Sequence, residues 1–279
     1  MPFRNFIRYP KLVARTGIPM DDRSTAETRD KELDVKNVVR SLAKGFRILQ
    51  AFKPDEAEMT LSQIAARTSL DSGTTFRLIN TLVLLGYLAR VHGTRRYRLG
   101  LKVLELGFST IGGMGVVRNA RPILRSLLDD GIAYSANLDV LDGTDLVRVE
   151  RVLSNVHGTP GGPRTGLPGQ GLGLRTSLES TVMGQAAMAY VAGSGTMDEG
   201  TRTQIRKRGY VHRGGKGGDE DHIIAAASLD AAGRARAVVS VTCPNSACSE
   251  QEFVSGYATR VVHTARRIGR LFDFAGTAA

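Results

Sequence analysis

The sequence predicts an α+β chain made of a helix-rich head over residues 38–100 and a larger portion in which helices alternate with strands of one antiparallel sheet. Three observations predict it. Segments with apolar residues at helical spacing crowd the first hundred residues and end in an arginine-rich hairpin. Longer strand patterns begin beyond residue 130. The length of 279 residues also exceeds the roughly 100–200 of an average domain.

Charge is unevenly placed. The chain holds 38 Lys and Arg against 27 Asp and Glu; residues 1–100 hold 18 and 10 of them, net +8, and residues 101–279 hold 20 and 17, net +3. Clustered cations gain affinity for a phosphate polymer by releasing its counterions, so the first third points to a polyanionic partner. Cys243 and Cys248 fit neither a disulfide framework nor paired C-x-x-C metal spacing, and a reducing cytoplasm is their natural setting. The longest apolar runs, 81–85 and 223–227, fall far short of the ~20 residues that span a bilayer. The start of the chain lacks the apolar core of a signal peptide. A soluble cytoplasmic chain with no membrane partner is expected.

Residues 1–37 mix charges with Pro2, Pro10, Pro19 and Gly17 and are expected to form a flexible arm. From Ser41, read as near the N-cap, Leu42, Phe46, Leu49 and Phe52 line one face of a first helix that Lys53 and Pro54 end. "TLSQIAARTSL" supplies a short second helix, with Thr60 and Gln63 as a capping box and Leu61, Ile64 and Ala65 as its apolar face. The third helix starts near Asp71, which caps its first amides, and turns Thr75, Leu78, Ile79 and Leu82 inward; Gly86 closes it in left-handed geometry. "YLARV", "HGT" and "RRYRL" then read as strand, turn and strand, with Arg96 and Arg98 alternating against Tyr97 and Leu99 to leave one cationic face. Together these elements make a winged helix-turn-helix.

Residues 101–128 read as helix, glycine-rich break and helix, a linker with Gly112, Gly113 and Gly115 as its hinge. Over 129–279, "YSANLDVLDGTDLVRVERV" is a hairpin turning at Asp142 and Gly143, "RARAVVSVTC" is another strand, and "STVMGQAAMAYV" and "TRTQIRKRG" are helical. A long terminal helix carries Phe253, Val254, Tyr257, Val261, Ala265 and Ile268 in register. Residues 157–173 have little side-chain volume and are expected to loop out.

The stretch "DSGTTFRLINTLVLLGYL", residues 71–88, sets the chemistry of the head. A helix start carries about half a positive charge and ordinarily favours carboxylates beyond its cap. Here the positions after Asp71 are Ser72, Gly73, Thr74, Thr75, Phe76 and Arg77. Hydroxyls donate to phosphates or base edges, glycine permits close approach, arginine forks onto guanine, and Phe76 or a threonine methyl meets thymine. Six arginines and one acid lie between Arg67 and Arg98. Arg90, Arg95, Arg96 and Arg98 give the hairpin the cations that phosphate contact requires. Double-stranded DNA is therefore the expected partner, with the third helix in the major groove and the hairpin on the backbone.

"SLAKGFRILQAF", "LSQIAARTSLDSGTTFRLINTLVLLGYL" and "RRYRLGLKVLELG" resemble the N-terminal region of IclR-type transcriptional regulators in order and spacing. "LDGTDLVRVERV", "IRKRGY" and "VVSVTCP" resemble that family's ligand-binding domain, so the likeness spans about residues 40–273. It implies a winged-helix DNA-binding domain, a linker helix and a GAF-like effector and oligomerisation domain. A dimer or a dimer of dimers would sense a small organic or aromatic acid, control a catabolic operon and associate with the nucleoid through DNA. Arg77 and Thr74 match the family motif. Ser72 stands where many relatives have arginine and Phe76 where they have histidine or tyrosine, so the operator does not carry over.

The resemblance also implies an effector site at Val182, Met183, Ile223, Ser240 and Thr242. Ser180 is read as the cap of the helix that starts there, leaving the amides of 181–183 for a carboxylate, while Ser240 and Thr242 share one strand face. Ile223 stands where a polar or sulfur side chain is common, and Arg213 where an acid is common. An apolar pocket beside a cation favours an aromatic carboxylate or a related amide over a ligand of glyoxylate size.

Enzyme readings fail on spacing. Gly169, Gly171 and Gly173 lack the last glycine of a dinucleotide loop because Leu174 stands there, and "GGKGG" places Gly217 where a P-loop needs Ser or Thr. The histidines, His92, His157, His212, His222 and His263, make no local metal pattern, and no cofactor is expected. The alternative is a basic RNA-binding or architectural protein, which would spread cations and stacking aromatics along the chain; aromatics make up only 6% of residues and the cations concentrate near the hairpin.

Overall fold

A computed structural model describes residues 38–154, 171–191, 197–214 and 221–275. The arm expected over 1–37, most of the loop expected over 157–173 and most of the GGKGG run lie outside the described residues.

The head consists of α1 (Arg40–Ala51), β1 (Met59–Thr60), α2 (Leu61–Thr68), α3 (Ser72–Leu84), β2 (Leu88–Arg90) and β3 (Arg96–Leu99). The short strands pair antiparallel in the order β1-β3-β2, so the wing gains a third strand from the segment ahead of α2. Ile48, Ile64, Ile79, Leu88, Met59 and Tyr97 form its core, into which each helix contributes one isoleucine. The capping box forms as expected: the Thr60 amide donates to Gln63 Oε1 at 2.9 Å, and the Gln63 amide to Thr60 Oγ1 at 3.3 Å. Gly86 follows the end of α3 with φ +81°, where a side chain would be strained.

The first helix departs from expectation. Its inward residues are Gly45, Ile48, Ala51 and, just past its end, Phe52, whereas Leu42 is 60% and Phe46 48% exposed. Its N-cap is Val39, without a side-chain cap, and Ser41 lies inside the helix. Two apolar stripes run along α1, and only packing by α2 and α3 selects one as core.

The expected linker divides into α4 (Val103–Gly113) and α5 (Gly115–Arg125), followed by a 3-10 turn at Ser126–Leu128. The bend sits at Met114, with φ −83° and ψ 90°, a conformation open to any residue; Gly112, Gly113 and Gly115 show no positive φ. No residue of α4 is buried, while Val116, Val117, Ala120 and Leu124 of α5 enter the core of the second domain. Only the end of α4 reaches that core, through the partly buried Ile111.

That core surrounds a six-stranded antiparallel sheet in the order β6-β5-β4-β9-β8-β7. Its strands are β4 (Ser135–Asp142), β5 (Asp145–Leu153), β6 (Arg175–Ser177), β7 (Val211–Arg213), β8 (His222–Leu229) and β9 (Ala235–Cys243). The helices are α6 (Val182–Met188), α7 (Glu199–Arg208) and α8 (Glu250–Ala275). Phe253, Tyr257, Val261, Ala265 and Ile268 of α8 join α5 under one face. The opposite face meets α6 through Leu146, Ala225, Val238, Val182 and Ala186. The expected α+β architecture, with a winged head and a C-terminal antiparallel sheet, is the one observed.

Candidate functional sites

Asp71 caps α3 by accepting the Thr74 amide at 2.8 Å. This bond, with that from the Thr74 side chain, holds the carboxyl below its ordinary range. With the cap satisfied, the first turn presents Ser72, Gly73, Phe76 and Arg77 to solvent, Phe76 at 49% exposure, and half-buries Thr74. Thr75 is a correction: it is fully buried and its hydroxyl donates to the Asp71 carbonyl at 2.8 Å. It shares the inward stripe with Ile79 and Leu82, so it supports the tip and cannot touch a partner.

The cations of the head fall into two groups. The Arg67 guanidinium is engaged with Glu56 and the Ala51 carbonyl, Arg96 Nη1 donates to the Glu58 carbonyl at 3.1 Å, and Arg90 Nη2 donates to Asn80 Oδ1 at 3.2 Å. Register explains Arg90. It stands opposite Tyr97 and shares the core-facing side of the hairpin with Leu88, so its guanidinium lies over the Tyr97 ring at 5.9 Å. Arg90 therefore lies on the face opposite Arg96 and Arg98, and the expected single cationic face excludes it. Arg77, Arg95 and Arg98 are exposed and have no side-chain partner among the described residues. A head that leaves these three without a side-chain partner among its described residues, with Ser72 and Phe76 also exposed, suits a rigid anion of larger size.

In the second domain, antiparallel register assembles a second constellation. Thr242 stands opposite Ser135 on one side and Ile223 on the other, and Ser240 stands between Asn137 and Ala225. Alternation puts these residues on the face that α6 covers, together with Val182 and, half-buried, Met183. The five expected effector residues thus share one sheet face. The cap of α6 is Thr181, which accepts the Gly184 amide at 2.9 Å, and not Ser180. The bonded amide lies one residue beyond the 181–183 amides at which a carboxylate is expected. Arg213 pairs with Ile223 across β7 and β8 and is exposed.

Sequence reasoning missed the polar half of this face. Asn137, Asp139, Arg148, Ser135 and Ser240 are all buried. Arg148 Nε donates to Asp139 Oδ1 at 3.0 Å; burial pushes the Asp139 carboxyl up, and Arg148 offsets part of that push. Asn137 Nδ2 reaches Ser240 Oγ at 3.4 Å, but Asn137 Oδ1 has no hydrogen-bond partner among the described residues. Arg151 stands opposite Asn137 on β5, half-buried. The signal was present in "SANLDVLD", whose Ser, Asn and Asp fall two apart while apolar residues fill the other face.

The geometry defines a winged-helix protein joined to a separate antiparallel-sheet domain. Residues 41–92 match the IclR helix-turn-helix domain. The Pca regulon regulatory protein of Pseudomonas putida is 34% identical over 40% of this chain and 37% of its own length. The HTH-type transcriptional regulator BhcR of Paracoccus denitrificans is 26% identical over 82% of this chain and 86% of its own. The crystal structure of an IclR homolog complexed with 4-hydroxybenzoate, from Microbacterium hydrocarbonoxydans, has a TM-score of 0.63 at 20% identity and covers 86% of this chain and 100% of that one. The chain spans between 37% and 58% of the length of three curated relatives that it matches. Residues 41–92 thus carry an IclR-type helix-turn-helix domain, and the fold of the chain is similar to that of the solved IclR homolog. The relatives named are regulators of transcription, not enzymes. No helix among the described residues is long and apolar enough to cross a membrane.

Proposed function

We propose that this chain is a transcriptional regulator that binds operator DNA through its head and changes that binding when a small organic acid occupies the α6-covered sheet face. The observation that carries the DNA reading is the tip of α3, where Ser72, Gly73, Phe76 and Arg77 are exposed and Thr74 half-buried, on a head that also leaves Arg95 and Arg98 exposed. In this reading α3 enters the major groove, with Arg77 on a base edge and Arg95 and Arg98 on phosphates. Arg96 adds charge to the same face, and Arg90 braces the hairpin against α3.

The effector is an aromatic acid bearing a hydroxyl, held by Val182, Met183, Ile223, Ser240 and Thr242 with Asn137. The unpartnered Asn137 Oδ1 supports this choice, because a buried acceptor without a donor costs stability that a ligand hydroxyl restores. Arg151 and Arg213 supply cations on two sides for the carboxylate. The 4-hydroxybenzoate held by the solved IclR homolog has the same chemistry.

Self-association completes the reading. Exposed Leu42 and Phe46 of α1 and Leu104 and Phe108 of α4 form apolar surface that pairing of two chains removes from water. The dimer sets two α3 tips in successive major grooves, and ligand binding, passed through α5 to α4, alters their spacing. Control of an operon, here proposed to be a catabolic one, is in keeping with the P. putida relative's being a regulon regulatory protein.

Selection from a random duplex library, followed by anisotropy titration at several salt concentrations, tests the DNA half. One enriched motif is expected, with affinity falling steeply with salt; equal retention of all duplexes and RNA removes the proposal. Thermal shift with 4-hydroxybenzoate, benzoate and C2 to C4 acids tests the effector half. Stabilisation only by the small acids removes the aromatic assignment.

A further inference from the structure

We propose that Cys243 and Cys248 form a thiol modification site, which a hydroperoxide closes into an intramolecular disulfide and a dithiol reductant reopens. The two Sγ atoms stand 3.2 Å apart as free thiols. A disulfide is about 2.05 Å long, so closure needs an approach of only ~1.2 Å. The segment between them is already folded back, with the Ala247 amide donating to the Pro244 carbonyl at 3.0 Å. His222 holds the far side: its Nε2 lies 3.1 Å from the Cys248 carbonyl, and its ring stacks on Phe253 at 5.8 Å.

The two thiols differ in a way that assigns their roles. Cys248 is half-buried and reachable by a small oxidant, while Cys243 is fully buried at the end of β9. The Cys248 thiolate attacks the terminal oxygen of the hydroperoxide. A sulfur–oxygen bond forms, the oxygen–oxygen bond breaks, and the alkoxide takes a proton and leaves as the alcohol, giving a sulfenic acid. Cys243 then gives up its proton and attacks the Cys248 sulfur. The sulfur–sulfur bond forms and the sulfenic hydroxyl leaves as water. In total, two thiols lose two electrons and one hydroperoxide becomes alcohol and water.

Burial, and after it Cys248 itself, pushes the Cys243 thiol far above its ordinary range, which leaves the half-buried Cys248 as the first target of the oxidant and Cys243 as the thiol that closes the bond. Such a bond is transient in a reducing compartment, as befits a response to oxidant. It ties the start of α8 to the strand end next to Thr242, whose carbonyl accepts the Tyr134 amide at 3.0 Å.

The test uses the full chain with hydrogen peroxide. Titratable thiols are expected to fall from two to none, at monomer mass lowered by two hydrogens, and to return with dithiothreitol. In Cys243→Ser, Cys248 is expected to stop at a sulfenic acid that dimedone traps; in Cys248→Ser, the native chain is expected to keep an unreactive thiol. Disulfide-linked dimers, or Cys248 driven to sulfinic acid while Cys243 stays free in the wild-type chain, overturn the proposal.

Discussion

The head keeps its functional polar groups outside, and the C-terminal sheet buries them. In the described head the buried polar side chains are Thr68 and Thr75, and each hydroxyl is satisfied by a carbonyl, Ile64 at 2.7 Å and Asp71 at 2.8 Å. In the sheet, Ser135, Asn137, Asp139, Arg148, Ser240 and Thr242 crowd one face, and Asn137 Oδ1 stays unsatisfied. An outward set reads a large rigid partner by charge and shape. An inward set is a standing cost, which in the proposed reading a small molecule of complementary chemistry relieves.

The contrast breaks most sharply at the buried ion pair. Arg148→Ala leaves Asp139 buried without its partner, and a loss of about 3–5 kcal/mol in urea unfolding is expected. Arg77→Ala, on the surface, should move the same midpoint by no more than about 0.5 kcal/mol. Equal losses in both would show that the sheet face is open to water.

Within the head, Arg77→Ala is expected to cost about 1–3 kcal/mol of operator binding and relax preference at one base pair. Arg98→Ala should weaken all duplexes alike and lower the salt slope by about one, and Arg90→Ala should do less than Arg98→Ala. Sequence-blind losses at all three positions would erase the division between the tip and the wing.

Within the sheet, Asn137→Leu is expected to remove about 1 kcal/mol of the stabilisation by 4-hydroxybenzoate while leaving that by benzoate nearly unchanged. Matching losses for the two ligands would move the hydroxyl away from Asn137.

A smaller effect concerns the start of the second domain. Burial of Asp130 works to raise its carboxyl, but hydrogen bonds from Tyr257 and Arg260 outweigh it and hold the group low. A lowered carboxylate contributes stability above its unfolded value near pH 3.9 and loses it as pH falls through the folded value. Asp130→Asn should therefore flatten the acid side of the stability curve below about pH 4, read by thermal unfolding across that range.

The smallest effects are expected at Gly112, Gly113 and Gly115, where an added methyl meets nothing within 4 Å. Alanine there should stabilise by less than about 1 kcal/mol and leave the ligand response intact, since the bend lies at Met114. Loss of response in titrations of operator with and without acid would restore the glycines as the hinge.

What could be read in advance follows the range of the forces. The capping box at Thr60, the cap at Asp71, the left-handed Gly86 and the hairpin turn at Gly143 are decided within four residues of chain, and the sequence alone determined them. So were the inward row of α8 and the charge of the head, because period and composition survive without neighbours. The choice between Thr181 and Ser180 as a cap hung on a single residue of offset, which flanking elements settle. Only tertiary structure decided which stripe of α1 is core, that α5 joins the second domain while α4 touches it only through Ile111, and which arginines of the head are already engaged, Arg96 with Glu58, Arg90 with Asn80 and Arg67 with Glu56. The proposed effector face likewise depends on register between strands a hundred residues apart, as Asn137 and Ser240 are. Periodicity says that a face exists; only the element packed against it says whether that face is core, cavity or surface.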